Sequence, residues 1–217
     1  MKHAIKIIDL TKIFHSDGRS VKALSNINLS IENGQIVGLV GANGAGKTTL
    51  LKIIAGLLIP DSGSVKINKN IYLTPRIGWL PADSRCLHWR LTGLQNLVFF
   101  GRFYGMSEKN ITERVNYLMS KFGLENSRDT LTGLYSSGMR QKLNIIRSIL
   151  HEPQILLFDE PFISMDEDGI ELTNGLMQDY SGKNNRLVFI ATAREKQIGN
   201  IVDRVTYMGK GRIVNNV

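Results

Sequence analysis

Hydrophobic and polar positions follow two textures along the chain, and the change between them divides it. Ile5 to Leu10 reads as a strand, and so does Asn28 to Ile31, where Leu29 and Ile31 alternate with polar residues. Glu32-Asn33-Gly34 is a turn. Gln35 to Val40 is then almost unbroken apolar, the pattern of a strand buried on both faces. A glycine-rich loop follows, then a helical run from Lys47 to Ala55 that Gly56 and Pro60 end. Val65 to Ile67 and Ile77 to Leu80 are short strands.

From about Leu91 to Leu150 the pattern is helical. Leu94, Leu97, Val98 and Gly101 fall on one face, and Val115, Leu118, Met119 and Phe122 on another. Strand texture returns at Ile155 to Phe158, Arg186 to Ala191 and Arg204 to Met208, with helical runs at Ile170 to Tyr180 and Glu195 to Val202 between them. Strands alternating with helices predict an α/β core with a parallel sheet and a helical insertion of about 60 residues.

Composition narrows the function classes. The 217 residues carry 27 Lys plus Arg against 19 Asp plus Glu, a net charge of +8, which favours anionic partners. The excess is spread along the chain, so no nucleic-acid-binding arm is indicated. A single cysteine, Cys86, excludes an internal disulfide and fits a reducing compartment. Met1-Lys2-His3-Ala4 leads directly into the first strand and does not read as a signal sequence. No apolar stretch reaches the ~18–20 residues of a membrane span, so any work at a membrane needs another chain to cross it.

The chemistry concentrates at two strand ends. Gly41-Ala42-Asn43-Gly44-Ala45-Gly46-Lys47-Thr48, with Thr49 behind it, fits the phosphate-loop pattern G-x-x-x-x-G-K-[ST], or Walker A. Its glycines let successive amides surround phosphate oxygens, and the following helix aims its positive end at the same anion. Lys47 would reach the outer phosphates, and the Thr48 hydroxyl would be a magnesium ligand. Ile155-Leu156-Leu157-Phe158-Asp159 is an apolar run ending in a carboxylate, the Walker B pattern. Asp159 is expected to hold magnesium through water, and Glu160 to polarise an attacking water.

These elements combine with Tyr135-Ser136-Ser137-Gly138-Met139-Arg140-Gln141, which resembles the signature motif of ABC-type ATPases. Asp159 to Asp166, with Ser164 and Asp166 in its second half, resembles the Walker B and D-loop of that family. Phe14 lies where the family places an aromatic that stacks on adenine. The resemblance implies a P-loop NTPase core with a mostly parallel sheet, an N-terminal antiparallel β subdomain and an inserted helical subdomain at about 85–150, in one domain spanning 1–217. It implies ATP and Mg2+, and a homodimer or heterodimer in which Ser136, Ser137, Gly138 and Met139 touch the ATP of the other subunit. It also implies a transmembrane permease partner, no nucleic acid, and a cytoplasmic place on the inner face of the cell membrane. Trp89, Phe99, Phe100, Phe103 and Tyr104 fall where the family receives a helix from the permease. Ser84 to Thr92 resembles a segment of ABC-2-type exporters. A clamp for nucleic acid or ribosomes, or a binding-only regulator, is the second reading. A small-molecule kinase is the third, and it leaves the signature element without a role.

Two positions depart from the family. Ala82 stands where its Q-loop glutamine is expected, with Asp83 beside it, and Ala193 stands where its switch histidine is expected. Alanine at 193 can neither contact the γ-phosphate nor hold Glu160 in place. The expectation is a chain that binds Mg-ATP and hydrolyses it slowly alone. His88 and His151 are expected to be ordinary packing or surface residues, and Cys86 a bystander.

Overall fold

The apolar run after Gly34 is unbroken because both faces of its strand are covered. The computed structural model describes residues 3–16, 18–68, 77–83, 86–182 and 185–216; Met1, Lys2, Ser84 and Arg85 lie outside the described residues. In chain order β1 (His3–Ser16), β2 (Arg19–Glu32), β3 (Ile36–Val40), α1 (Lys47–Ile54) and β4 (Ser62–Ile67) come first. β2, β1 and β4 form an antiparallel three-stranded sheet. The strands expected over Ile5–Leu10 and Asn28–Ile31 are the inner parts of β1 and β2. The outer ends of the hairpin are exposed on both faces, so no alternation marks them.

A second sheet has the order β5 (Ile77–Leu80), β6 (Ile155–Asp159), β7 (Leu187–Thr192), β3, β8 (Arg204–Gly209), β9 (Arg212–Asn216). Its first five strands are parallel and β9 is antiparallel. Ile36, Val40, Leu156, Phe158, Val188 and Ile190 face the helical layer. Val37, Leu39, Ile155, Leu157, Leu187 and Phe189 face α1 and the three-stranded sheet. Period-two side chains thus divide between two cores, and each buried aliphatic contributes about 1.5–3 kcal/mol.

The helical segment is α2 (Gly93–Phe103), α3 (Glu108–Lys121) and α4 (Ser137–Ile149). Each starts at a side-chain cap: Thr92 with Gln95 as a capping box, then Ser107, then Ser136. Gly101 brings α2 against α3, where an added Cβ would meet Ile111 Cγ1 at 2.7 Å. Val115, Leu118, Met119 and Phe122 are buried as their spacing predicts. Arg147 of α4, itself buried, donates to the Trp79 carbonyl at 3.1 Å and lies over Phe100 at 5.0 Å, tying β5 to α2. α5 (Glu167–Gly182) covers the same face of the sheet.

The helical run expected at Glu195–Val202 is corrected. It is two 3-10 turns, Glu195–Gln197 and Gly199–Ile201, joined at the buried Ile198. The Asn174 amide draws off the Gln197 carbonyl at 3.2 Å, and Gly199 interrupts the run. β9 is a strand that the hydrophobic pattern does not predict.

His151 is buried and stacks on Tyr104, with ring centroids 3.8 Å apart. Burial lowers its pKa from 6.5 to about 4. The unfolded chain therefore takes up this proton near pH 6.5, while the folded chain stays neutral until about 4. Folding stability is lost as pH falls through that window, by up to about 3 kcal/mol from this residue. Urea unfolding at pH 7 and pH 4 should show His151→Phe, which keeps a stacked ring, losing that much less than the wild type.

Candidate functional site

β3 delivers the chain to the edge of a cavity of about 490 Å³, and the loop after it forms one wall. Asn43, Gly44, Gly46, Lys47, Thr48 and Thr49 line it. Gly41, Ala42 and Ala45 lie behind the lining: the Gly41 amide donates to the Thr192 carbonyl at 3.2 Å, and the Ala45 carbonyl accepts from the Gly211 amide at 2.9 Å. Gly46 sits at the helix start with φ 105° and provides no side-chain cap. The first-turn amides of α1 therefore open onto the cavity unclaimed by a side chain, as an anion site requires.

Gly46 is needed twice over, for its positive φ and because an added Cβ would meet the Ala23 carbonyl at 2.6 Å. Gly46→Ala should cost about 1–3 kcal/mol or more of stability and abolish nucleotide binding. Thermal unfolding and equilibrium dialysis with ATP would check both.

Lys47 is 5% exposed. Its ammonium donates to the Gly41 carbonyl at 2.7 Å and the Ala42 carbonyl at 3.3 Å, and stands 3.4 Å from Glu160 Oε1. The Thr48 hydroxyl donates to Asp159 Oδ2 at 2.7 Å. Burial raises the Asp159 carboxyl above its ordinary pKa, against the Thr48 hydrogen bond and the charges of Lys47 and Lys52. Asp159 Oδ1 is buried without a hydrogen-bond partner. A hard cation fits this pair of oxygen donors and would satisfy the orphaned oxygen. Among the described residues no group of three His, Cys, Asp or Glu could hold a metal. A magnesium ion here would complete its shell from phosphate and water, the usual habit of Mg2+.

Glu160 lines the same cavity in a left-handed conformation, φ 49°. Its Oε2 accepts the Thr192 hydroxyl at 3.0 Å and its Oε1 the Ala193 amide at 2.8 Å. This corrects the expectation that position 193 cannot hold Glu160: the side chain cannot, but the main-chain amide does. Ala82 also lines the cavity, while Asp83 is exposed and outside the lining.

Other expected residues are placed apart. Phe14 is outside the lining; its cross-strand partner Val21 is inside it. Ser136 and Ser137 are exposed, and Gly138 and Met139 half-buried, at the start of α4 and not in the Lys47 cavity. Ser136 accepts the Met139 amide at 3.1 Å as a helix cap. Asp166 Oδ1 accepts the Gly169 amide at 2.9 Å at the start of α5, and the Ser164 carbonyl crowds Gly138. Val21, Lys22, Ala23, Ile163, Lys210 and Gly211 also line the cavity, and the sequence motifs do not point to them as site residues. Trp89 and Phe103 are 73% and 75% exposed, and Phe99 and Phe100 stack edge to face at 5.2 Å. Cys86 donates to the Asp83 carbonyl at 3.1 Å.

Residues 24–163 match the protein family described as ABC transporter. The chain is 32% identical over 216 residues to the ABC transporter ATP-binding protein NatA of Bacillus subtilis, covering 97% of this chain and 87% of NatA. It is 31% identical to the bacitracin transport ATP-binding protein BcrA of Bacillus licheniformis, covering 100% and 70% of the two chains. The dimeric ATP-binding cassette MJ0796, solved in a post-hydrolysis state bound to ADP and Pi, superposes with a TM-score of 0.87 at 25% identity over 98% of this chain and 97% of that one.

Proposed function

Since the chain belongs to the ABC transporter family as an ATP-binding subunit, we propose that it holds Mg-ATP in the cavity at Lys47 and hydrolyses it slowly unless a partner supplies what Ala82 and Ala193 lack. The observation that carries this is the uncapped start of α1 opening onto a cavity that also holds Lys47, Thr48 and Glu160.

In this reading the loop amides and the Lys47 ammonium bind the outer phosphates. Thr48 and Asp159 would hold a magnesium ion, which would supply charge neutralisation on the phosphates. Glu160 takes the proton of a water as its oxygen bonds to the γ-phosphorus and the bond to the ADP oxygen breaks. A chain missing two positioned polar groups should be slow, since each is worth about 10²–10³ in rate. Turnover of the purified chain well below ~1 s⁻¹, the low end of ordinary enzymes, fits this reading; turnover at or above it contradicts it.

The exposed Ser136 and Ser137 lie outside their own chain's cavity and are free to meet the nucleotide of a second ATP-binding subunit, packed head to tail. BcrA is named for bacitracin transport, and a transport role here needs a permease. Among the described residues no helix is long and apolar enough to cross a membrane. The exposed rings of Trp89, Phe99 and Phe103 offer that permease an apolar seat on the inner face of the membrane.

A further inference from the structure

Both oxygens of Glu160 are held by the chain leaving β7. Thr192 is fully buried, and its hydroxyl reaches Oε2 at 3.0 Å while accepting the Arg194 amide at 3.0 Å. Accepting that amide leaves the hydroxyl proton for the carboxylate. The Ala193 amide reaches Oε1 at 2.8 Å, and the Glu160 amide donates to the Ala191 carbonyl at 2.8 Å. Glu160 keeps an unfavourable positive φ while these bonds hold it. The competing pull comes from the Lys47 ammonium, 3.4 Å from Oε1. That ion pair and the Ala193 amide both act on Oε1, so the Thr192 hydroxyl is what fixes Oε2; without it the carboxylate can turn about the Lys47 contact and lose its aim at water.

We propose that Thr192 is a positioning residue for ATP hydrolysis in this chain. Its hydroxyl, with the Ala193 amide, supplies the orientation of Glu160 that no side chain at 193 provides. The inference rests on the Mg-ATP reading above and adds to it a residue that touches neither nucleotide nor metal.

The test uses the full chain with Mg-ATP, measuring binding by calorimetry and single-turnover hydrolysis for the wild type, Thr192→Val and Thr192→Ser. Valine keeps the volume and removes the hydroxyl; serine keeps the hydroxyl. The expected result is a rate about 10²-fold lower for Thr192→Val, with ATP affinity unchanged and most of the wild-type rate kept by Thr192→Ser. The inference is overturned by a Thr192→Val rate equal to the wild type, by equal losses in both variants, or by a loss of ATP affinity that accounts for the loss of rate. A wild type that binds ATP without any turnover overturns it too, while leaving nucleotide binding intact. A wild type that binds no ATP removes the reading beneath it.

Discussion

Glu160→Gln should lower turnover by about 10²–10⁴-fold, the usual contribution of a positioned proton acceptor, while ATP binding persists or tightens. The amide side chain keeps an acceptor oxygen for the Ala193 amide, which now bonds Oε1 at 2.8 Å. It cannot take a proton from water at neutral pH. It also removes the carboxylate that stands 3.4 Å from the Lys47 ammonium, leaving that charge to the phosphates. Steady-state hydrolysis and ATP affinity, measured on the same preparation, separate the two effects. Loss of binding together with turnover would show that Glu160 acts on the loop and not on the water.

The second large effect runs the other way. Ala82→Gln combined with Ala193→His should raise the turnover of the chain alone by about 10²-fold or more. Ala82 lines the cavity, so a longer polar side chain there has solvent-filled space to enter. Ala193 follows directly on β7, with its amide already on Glu160, so an imidazole added there keeps the main-chain anchor. A rate unchanged by the pair would mean that this site is limited by something other than the missing groups. A wild type already as fast as the double variant would mean that the Thr192 and Ala193 anchor suffices.

Much of this site was legible because its parts are local in sequence. The strand, the glycine loop and the helix follow one another within residues 36–54, and the apolar run to Asp159 places its carboxylate at a strand end without knowledge of other elements. The faces of α2 and α3 were equally readable from their spacing. What the sequence hid depends on distant pairing. Val21 reaches the cavity through the β1–β2 register, and Gly211 through the β8–β9 turn that bonds Ala45. The anchoring of Glu160 by the Ala193 amide was invisible because a main-chain donor has no sequence signature; only the parallel pairing of Asp159 with Ala191 brings it there. The exposed ends of β1 and β2 were unread for a different reason, since a strand wet on both faces carries no alternation.

Calorimetric titration of the chain with Mg-ATP, beside Lys47→Ala in the same buffer, reads directly whether the loop at Lys47 holds a nucleotide. The wild type should show saturable one-site binding, and the variant an affinity about 10²-fold weaker, the expected cost of removing a charged hydrogen-bond donor from phosphate. Absence of binding heat in the wild type over a range of temperatures, or equal affinity in the two proteins, would contradict nucleotide binding at that loop.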